Sequence, residues 1–467
     1  MDNSRTNPPD WSIFVPVLPD KGPRPQALYA EIRRLIEEGA LSPGDKLPTT
    51  RDLAGRFWLS RGAAVAAYDM LVADGFAEAR VGAGTYVARA VPNVGGTPVR
   101  ERRRPPEPKG PLPGALGCST ADETTIRTFR TLLNRHLTQP SARHYHYGDP
   151  AGGEDLRTEI AAYLRAARGV RCEADQVIVT SGTQQALDLV IRSLLHPGDP
   201  VWVEDPCYPM AKAAFLGVGM RLNAVPVDTD GVDPDAGERL APQARAVYVT
   251  PSHQYPLGVT LTMPRRLKLI DWARRTGAFI IEDDYDSEFR FSGPPLTSLQ
   301  GIDGEGRVIY VGSFSKTLMP GFRIGYLVAP RALIGHMLEV RQRIDRFPST
   351  LFESALAEFL RDGHFASHVK RARRRVKEAR DVLVDVLRQG GLQFTIPEQG
   401  LHMVAVAPDG RSDVEHVTFA AECGFGLRAL SPLYHGGNGR QGLVIGFSGF
   451  PAERLAAAAR RWVQALC

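Results

Sequence analysis

Five cysteines in 467 residues are few, and their positions (118, 172, 207, 423 and 467) show neither the even count of a disulfide framework nor the spacing of a metal site. Reduced thiols in a cytoplasmic protein are the expectation. Apolar runs are short as well. None approaches the roughly 20 residues that span a bilayer, so no membrane partner is expected. The first residues, "MDNSRTNPPDW", lack an apolar core, which argues against a signal peptide. No internal repeat is visible, and neither sign of charge dominates. A formal net charge of +5 is too small by itself to argue for a nucleic-acid partner. What is present is a hydrophobic content of 43%, enough for a large core, and a length that suggests two or three domains.

Proline, glycine and charge dominate residues 89–115, "RAVPNVGGTPVRERRRPPEPKGPLPGA", and no apolar period survives there. This reads as a linker, semi-stiff where proline is dense. It separates a small unit (1–88) from a large one (116–467). In the small unit Leu28, Ile32, Leu35 and Ile36 recur at helical spacing, and Gly39 ends that helix. Thr49 or Thr50 can cap a second helix with Leu53, Ala54 and Phe57 inward. Ser60 caps a third, with Val65, Tyr68, Leu71 and Val72 on one face and Gly75 after its end. Two short strands around Gly82 and Gly84 complete the unit as a hairpin.

The large unit alternates apolar strands (177–180, 201–204, 246–250, 279–281, 308–311 and 326–328) with helical segments, which argues for a mostly parallel sheet covered by helices. In such sheets ligands sit beyond the carboxyl ends of the strands. There the sequence places "TSGTQQ", "EDPCYP", "TPSHQYP", "EDDYDSE" and "GSFSK". Lys316, in the last of these, directly follows an apolar run. A lysine there is costly unless its amine is used, and burial lowers the pKa of such an amine toward the range where it becomes a nucleophile.

In order and in content, "SGTQQALDL", "EDPCYP", "PSHQYPLGV", "IEDDYDSEFR" and "SFSKTLMPGFRIGYL" resemble the motif set of fold-type I pyridoxal-phosphate aminotransferases. The resemblance implies pyridoxal 5'-phosphate as cofactor and Lys316 as its Schiff-base lysine. Asp283 then faces the pyridine nitrogen, Tyr285 the phenolic oxygen and Tyr208 the ring face. Tyr147 reaches the phosphate of the other protomer in a homodimer. The phosphate needs donors, and Ser181, Gly182, Thr183 and Gln184 lie between a strand and a helix, with Ser313, Ser315 and Arg323 nearby in the pattern. Two departures stand out. Tyr255 occupies the place of the usual asparagine, so a hydrogen bond to the cofactor oxygen is altered. Val444 occupies the place of the arginine that binds a substrate α-carboxylate. Arg428 or Arg440 could substitute, although each reads first as a surface arginine.

The small unit resembles the GntR-type winged helix–turn–helix, on "SPGDKLPTTRDLA", "LSRGAAVAAYDML" and the hairpin at Val81–Tyr86. That resemblance implies a double-stranded DNA partner approached by Arg51, Ser60, Arg61 and the wing glycine, Gly82. Whether Arg61 reads a base or holds a phosphate is left open by the sequence. Gly62, Ala63 and Ala64 follow it where relatives carry polar residues, so operator preference should differ. The combination, an α+β winged helix–turn–helix head, a linker and a large α/β fold-type I aminotransferase-like body, resembles the MocR subfamily of bacterial regulators. It implies a transcriptional regulator that senses pyridoxal phosphate or an amino compound. Two rival readings remain: an active aminotransferase with a DNA-binding head, and a DNA-binding protein whose body only dimerises.

Overall fold

The computed structural model of the chain describes residues 24–56, 59–90, 110–139, 145–435 and 439–466. The chain forms two compact units, Met1–Lys109 and Gly110–Cys467. In the first, helices α1 (Arg24–Glu37), α2 (Thr50–Arg56) and α3 (Arg61–Ala73) precede a hairpin of β1 (Ala77–Arg80) and β2 (Gly84–Val87). α1 buries Leu28, Ile32 and Ile36, the spacing of one helical face. The caps form as the sequence suggests: Thr49 and Ser60 accept the N–H groups of Asp52 and Ala63, each at 3.2 Å. The buried face of α3 differs from the expected one. Ala64, Ala67, Tyr68 and Leu71 are buried, whereas Val65 and Val72 are 39% exposed. Small alanines let the α3 backbone pack closely on α1, which leaves the larger valines flanking the contact. Phe57, expected inward, lies outside the described residues.

The second unit is built on an eight-stranded sheet. Its strands are β3 (Val177–Thr180), β4 (Pro200–Asp205), β5 (Arg221–Asp228), β6 (Gly231–Val232), β7 (Ala246–Val249), β8 (Phe279–Asp284), β9 (Val308–Ser313) and β10 (Gly325–Val328). They lie in the order β3-β10-β9-β8-β7-β4-β5-β6. All six expected strands are present. β5 and β6 form the edge and carry no clear strand signal in the sequence: β5 is half-exposed and interrupted by Pro226, and β6 has two residues. Neighbours from β9 through β5 are parallel; β10 runs against both β3 and β9. The central strands are buried on both faces, hence their unbroken apolar sequences. Alternate residues feed two cores. Val177, Val179, Tyr310 and Tyr326 join one, and Ile178, Ile309, Val311 and Leu327 the other. Toward the far edge Trp202 of β4 stacks on Trp272, centroids 4.0 Å apart, and truncating either ring should cost about 3–5 kcal/mol.

A separate three-stranded sheet, β11 (His402–Ala405), β12 (Arg428–Ala429) and β13 (Leu443–Gly446), packs against helices His364–Gln389 and Ala452–Leu466. Its register sets Arg428 directly opposite Val444. Among the described residues no helix is long and apolar enough to cross a membrane. Cys118, Cys172, Cys207 and Cys423 are free thiols, and Cys467 lies outside the described residues.

Candidate cofactor site and DNA-binding face

Strand direction gathers the polar loops. β3 and β9 end at Thr180 and Ser313, and both residues pair with Gly325, the first residue of the reversed β10. Ser181–Gln184, Ser313–Lys316 and Arg323 therefore meet at one corner of the sheet. Gly182, at φ 109°, precedes helix Thr183–Leu194, and a methyl built on it would lie 3.7 Å from Arg323 Nη1. First-turn N–H groups have no acceptor within their helix, so Thr183 and Gln184 offer theirs beside the Arg323 guanidinium. The Gln184 side chain is committed elsewhere, donating to Met210 O at 3.1 Å. Ser181 engages Gln185 Oε1 through its N–H (2.6 Å) and hydroxyl (3.1 Å), and Ser313 Oγ accepts the Ser315 N–H at 3.3 Å. Arg323 itself sits at φ 51°, a left-handed conformation that a non-glycine residue adopts at a cost.

At the end of β8, Asp283 is buried. Its Oδ2 accepts the Tyr248 hydroxyl at 2.6 Å, while Oδ1 has no hydrogen-bond partner among the described residues. Burial pushes this carboxyl up to about 7, against the Tyr248 hydrogen bond and the positive charge of Lys316, which pull it down. A buried acceptor without a donor is destabilising, and a protonated ring nitrogen would satisfy it. The neighbouring Asp284 has a structural task, accepting Arg168 Nε (2.7 Å) and the Tyr310 hydroxyl (2.6 Å). Tyr285 then places its hydroxyl 2.9 Å from the carbonyl of His253.

Lys316 follows β9. Burial pushes its pKa down, and the Asp286 carboxylate is the leading charge opposing that. A strap, residues 110–121, crosses beside it. Gly114 O accepts Gly446 N–H (2.8 Å), Pro113 O accepts Gly426 N–H (2.7 Å), and the Thr120 hydroxyl donates to the carbonyls of Lys316 (2.9 Å) and Thr317 (2.8 Å). Residues 110–115, read from sequence as the end of the linker, thus pack on the large unit. Gly117 sits in this strap at φ 78°, and a methyl there would come within 2.9 Å of Lys316 Nζ, so only glycine suits the position.

The remaining wall is apolar. Tyr208, just before helix Pro209–Gly217, clusters with Leu116, Tyr255, Leu430, Leu433 and Val444. Its ring centroid is 5.5 Å from that of Tyr255. The Tyr255 hydroxyl accepts from Arg428 Nη1 at 2.8 Å. Arg428 is exposed, as expected of a surface arginine, and it also anchors on the pocket wall opposite Val444. Its pairing across a two-residue strand left no periodic signal. Arg440 is exposed. Tyr147 is 74% exposed and lies against Phe347 and the Arg346 guanidinium (4.0 Å), outside its own chain's pocket. Behind Tyr285 stand three residues that sequence reasoning passed over, His253, Asp286 and His402, all buried.

In the small unit Arg51, Ser60 and Arg61 are exposed at the starts of α2 and α3. Gly82, at φ 75°, lies at the tip of the hairpin beside the fully exposed Val81. Ala64 is buried against the core, so a polar residue at that position would not reach DNA.

The description "Aminotransferase class I and II" matches residues 122–417, and "Bacterial regulatory proteins, gntR family" matches residues 25–87. The chain is 37% identical to the probable rhizopine catabolism regulatory protein MocR of Rhizobium meliloti, over 93% of this chain and 92% of that protein. It is 32% identical to the HTH-type pyridoxine biosynthesis transcriptional regulator PdxR of Corynebacterium glutamicum, over 94% of each. Among solved structures, an archaeal alanine:glyoxylate aminotransferase matches with TM-score 0.71 and 27% identity, over 76% of this chain and 90% of that one. The α-aminoadipate aminotransferase LysN of Thermus thermophilus, complexed with N-(5'-phosphopyridoxyl)-L-leucine, matches with TM-score 0.70 and 28% identity, over 77% and 92%. The chain belongs to the MocR-type members of the GntR family, DNA-binding transcription regulators whose large unit is an aminotransferase class I and II domain.

Proposed function

We propose that this regulator holds pyridoxal 5'-phosphate on Lys316, and that occupation of the site, by the cofactor itself or by an amino compound that reacts there, sets its affinity for a double-stranded operator. The observation that carries the reading is Asp283 Oδ1, a buried acceptor without a donor in the same pocket as a lysine whose amine burial makes easier to deprotonate. When bound, the cofactor supplies an aldehyde that condenses with that amine. Asp283 accepts from the ring nitrogen, and Tyr208 covers the ring face. Tyr285 meets the phenolic oxygen. Ser181, Gly182, Thr183, Gln184, Ser313, Ser315 and Arg323 surround the phosphate, and Tyr147 completes that site in the other protomer of a homodimer.

Val444 leaves the effector side of the pocket without a buried cation at that position. Arg428 is the remaining charge on that wall, and it suits a carboxylate at the pocket mouth. In the head, Arg51, Ser60, Arg61 and Gly82 face DNA, and the protein works in the cytoplasm. A ligand shifts operator affinity only by its differential affinity for two states of the protein. The test is binding to the DNA upstream of the protein's own gene, with cofactor stripped and then restored. A changed affinity supports the sensor. Tight but indifferent binding, unaltered by amino compounds, reduces the body to a scaffold.

The alternative, an active aminotransferase with a DNA-binding head, draws on the joint presence of Lys316, Asp283 and Tyr208. Sustained turnover over a panel of amino acids would favour it. In the sensor reading, Arg428→Ala lowers the response to a carboxylate-bearing amino compound about tenfold, the size of one charge-assisted hydrogen bond, and leaves cofactor uptake intact.

A further inference from the structure

The pair His253–Asp286 lies directly behind the Tyr285 hydroxyl, each side chain 1% exposed. Asp286 Oδ2 is 2.9 Å from His253 Nδ1. A carboxylate can only accept, so Nδ1 carries the proton. The Tyr285 oxygen is 3.1 Å from the same Nδ1 and shares that proton, while its own hydroxyl donates to His253 O at 2.9 Å. Asp286 Oδ2 is also tied to the Leu401 N–H at 3.2 Å.

The imidazole has little room to turn. A methyl built on Gly400 would meet its Cε1 at 2.0 Å, and one on Gly258 would lie 3.2 Å from Nε2, an atom with no hydrogen-bond partner among the described residues. On its other side the His402 ring stands 4.7 Å away, with its own Nε2 held by Pro256 O at 3.0 Å. His253, Asp286 and His402 are side chains of metal-binding type, with one ligand atom of each within 4.8 Å of the others. The bonds to Tyr285, Leu401 and Pro256 already use Nδ1 of His253, Oδ2 of Asp286 and Nε2 of His402, and they describe a hydrogen-bond relay that supports the Tyr285 oxygen.

We infer that Asp286 and His253 are positioning residues that hold the Tyr285 oxygen from behind, so that its proton turns from the His253 carbonyl to the phenolic oxygen of the cofactor. A hydroxyl that accepts a hydrogen bond is a stronger donor. The Tyr255 hydroxyl accepts from Arg428 Nη1 at 2.8 Å, so its oxygen is held from another wall and not by the His253–Asp286 pair. The charged and titratable groups facing Lys316 in the same pocket are Asp283 of β8, Asp286 just after that strand, Cys118 in the strap, Arg428 of β12 and His402 of β11. Among them Asp286 touches both His253 and, through it, Tyr285. The inference rests on the cofactor reading above.

The experiment titrates the cofactor-free, full-length protein with pyridoxal phosphate and follows visible absorption. Tyr285→Phe, His253→Ala and Asp286→Asn should each weaken binding about tenfold, the loss expected for one hydrogen bond to a charged group. Combined with Tyr285→Phe, His253→Ala should not weaken binding further, because both act through one hydroxyl. Asp286→Asn also removes the carboxylate that faces Lys316, so any loss it adds to Tyr285→Phe reads that charge. Losses that multiply in the His253 and Tyr285 cycle, or unchanged binding in both His253→Ala and Asp286→Asn, overturn the relay. Should His253→Ala melt early, the bulkier His253→Gln cycle decides. Wild-type protein that takes up no cofactor overturns this inference and the proposed function together. Wild-type uptake with unaltered variants overturns the relay only.

Discussion

In the head, the residues expected to meet DNA, Arg51, Ser60 and Arg61, are exposed at helix starts and add little to the core beneath them. In the large unit, most residues expected to meet the cofactor are wholly or partly buried at strand ends (Arg323 and Tyr147 are exposed), and Asp283 and Glu204 pack there with carboxyls pushed up to about 7 by burial. The two regions face opposite constraints. A surface site can lose a side chain without disturbing the fold, since it was solvated before and stays solvated after. A buried site stores unfavourable desolvation that its ligand relieves, so stability, ligand affinity and pH response are linked there.

The sharpest way to break this comparison is Lys316→Ala. Without the amine the visible band of bound cofactor should vanish entirely while the fold persists. A band retained by the variant and fixed by borohydride would remove Lys316 from the role. Asp283→Asn comes next. It keeps the shape but removes the charge that a ring N–H would meet, so cofactor affinity should fall by about 1.5–3 kcal/mol, roughly 10- to 150-fold. An unaltered spectrum and affinity would mean that Asp283 does not face the ring. For the head, Arg61→Ala should weaken operator binding by about 1–3 kcal/mol if it reads a base, and by less, with a shallower salt dependence, if it holds a phosphate. Its thermal melting should match wild type. Loss of stability in this variant would contradict the division between an exposed site and a buried one.

The same contrast explains what was legible in the sequence. The caps Thr49 and Ser60, the fully buried strands and the strand-end motifs were visible because each is local: a side chain and its own backbone, or an unbroken apolar run. The α3 face was misread because hydrophobicity ranks valine above alanine, while close helix packing prefers the smaller residue. Arg428 is the surface arginine its sequence suggests, but its bond to Tyr255 is not legible, because Tyr255 is distant in sequence and the strand that presents Arg428 has two residues. His253 and Asp286 lie inside strand-end motifs, where nothing local gives them a task. Their pairing needs the loop after β7 to meet the loop after β8, a contact set by the sheet order and invisible in either loop alone.

The smallest expected effect concerns pH. Asp283 and Glu204 have pKa values raised to about 7 by burial, against about 4 in an unfolded chain. The folded state therefore keeps protons that the unfolded chain releases between about pH 4 and 7. Stability from these groups is fully present below that window and is lost as pH rises through 7. The cofactor-free protein should melt several degrees lower at pH 8 than at pH 5, because Asp283 and Glu204, with Glu282 and Glu288 that burial likewise raises to about 7, are forced to ionise. Asp283→Asn should flatten this slope, since an amide does not titrate. Added pyridoxal phosphate should flatten it too, by giving the carboxylate a positive partner. A melting profile that Asp283→Asn leaves as steep as wild type would place the buried proton on another carboxyl, Glu204 first, and would separate the cofactor site from the stability of the sheet that carries it.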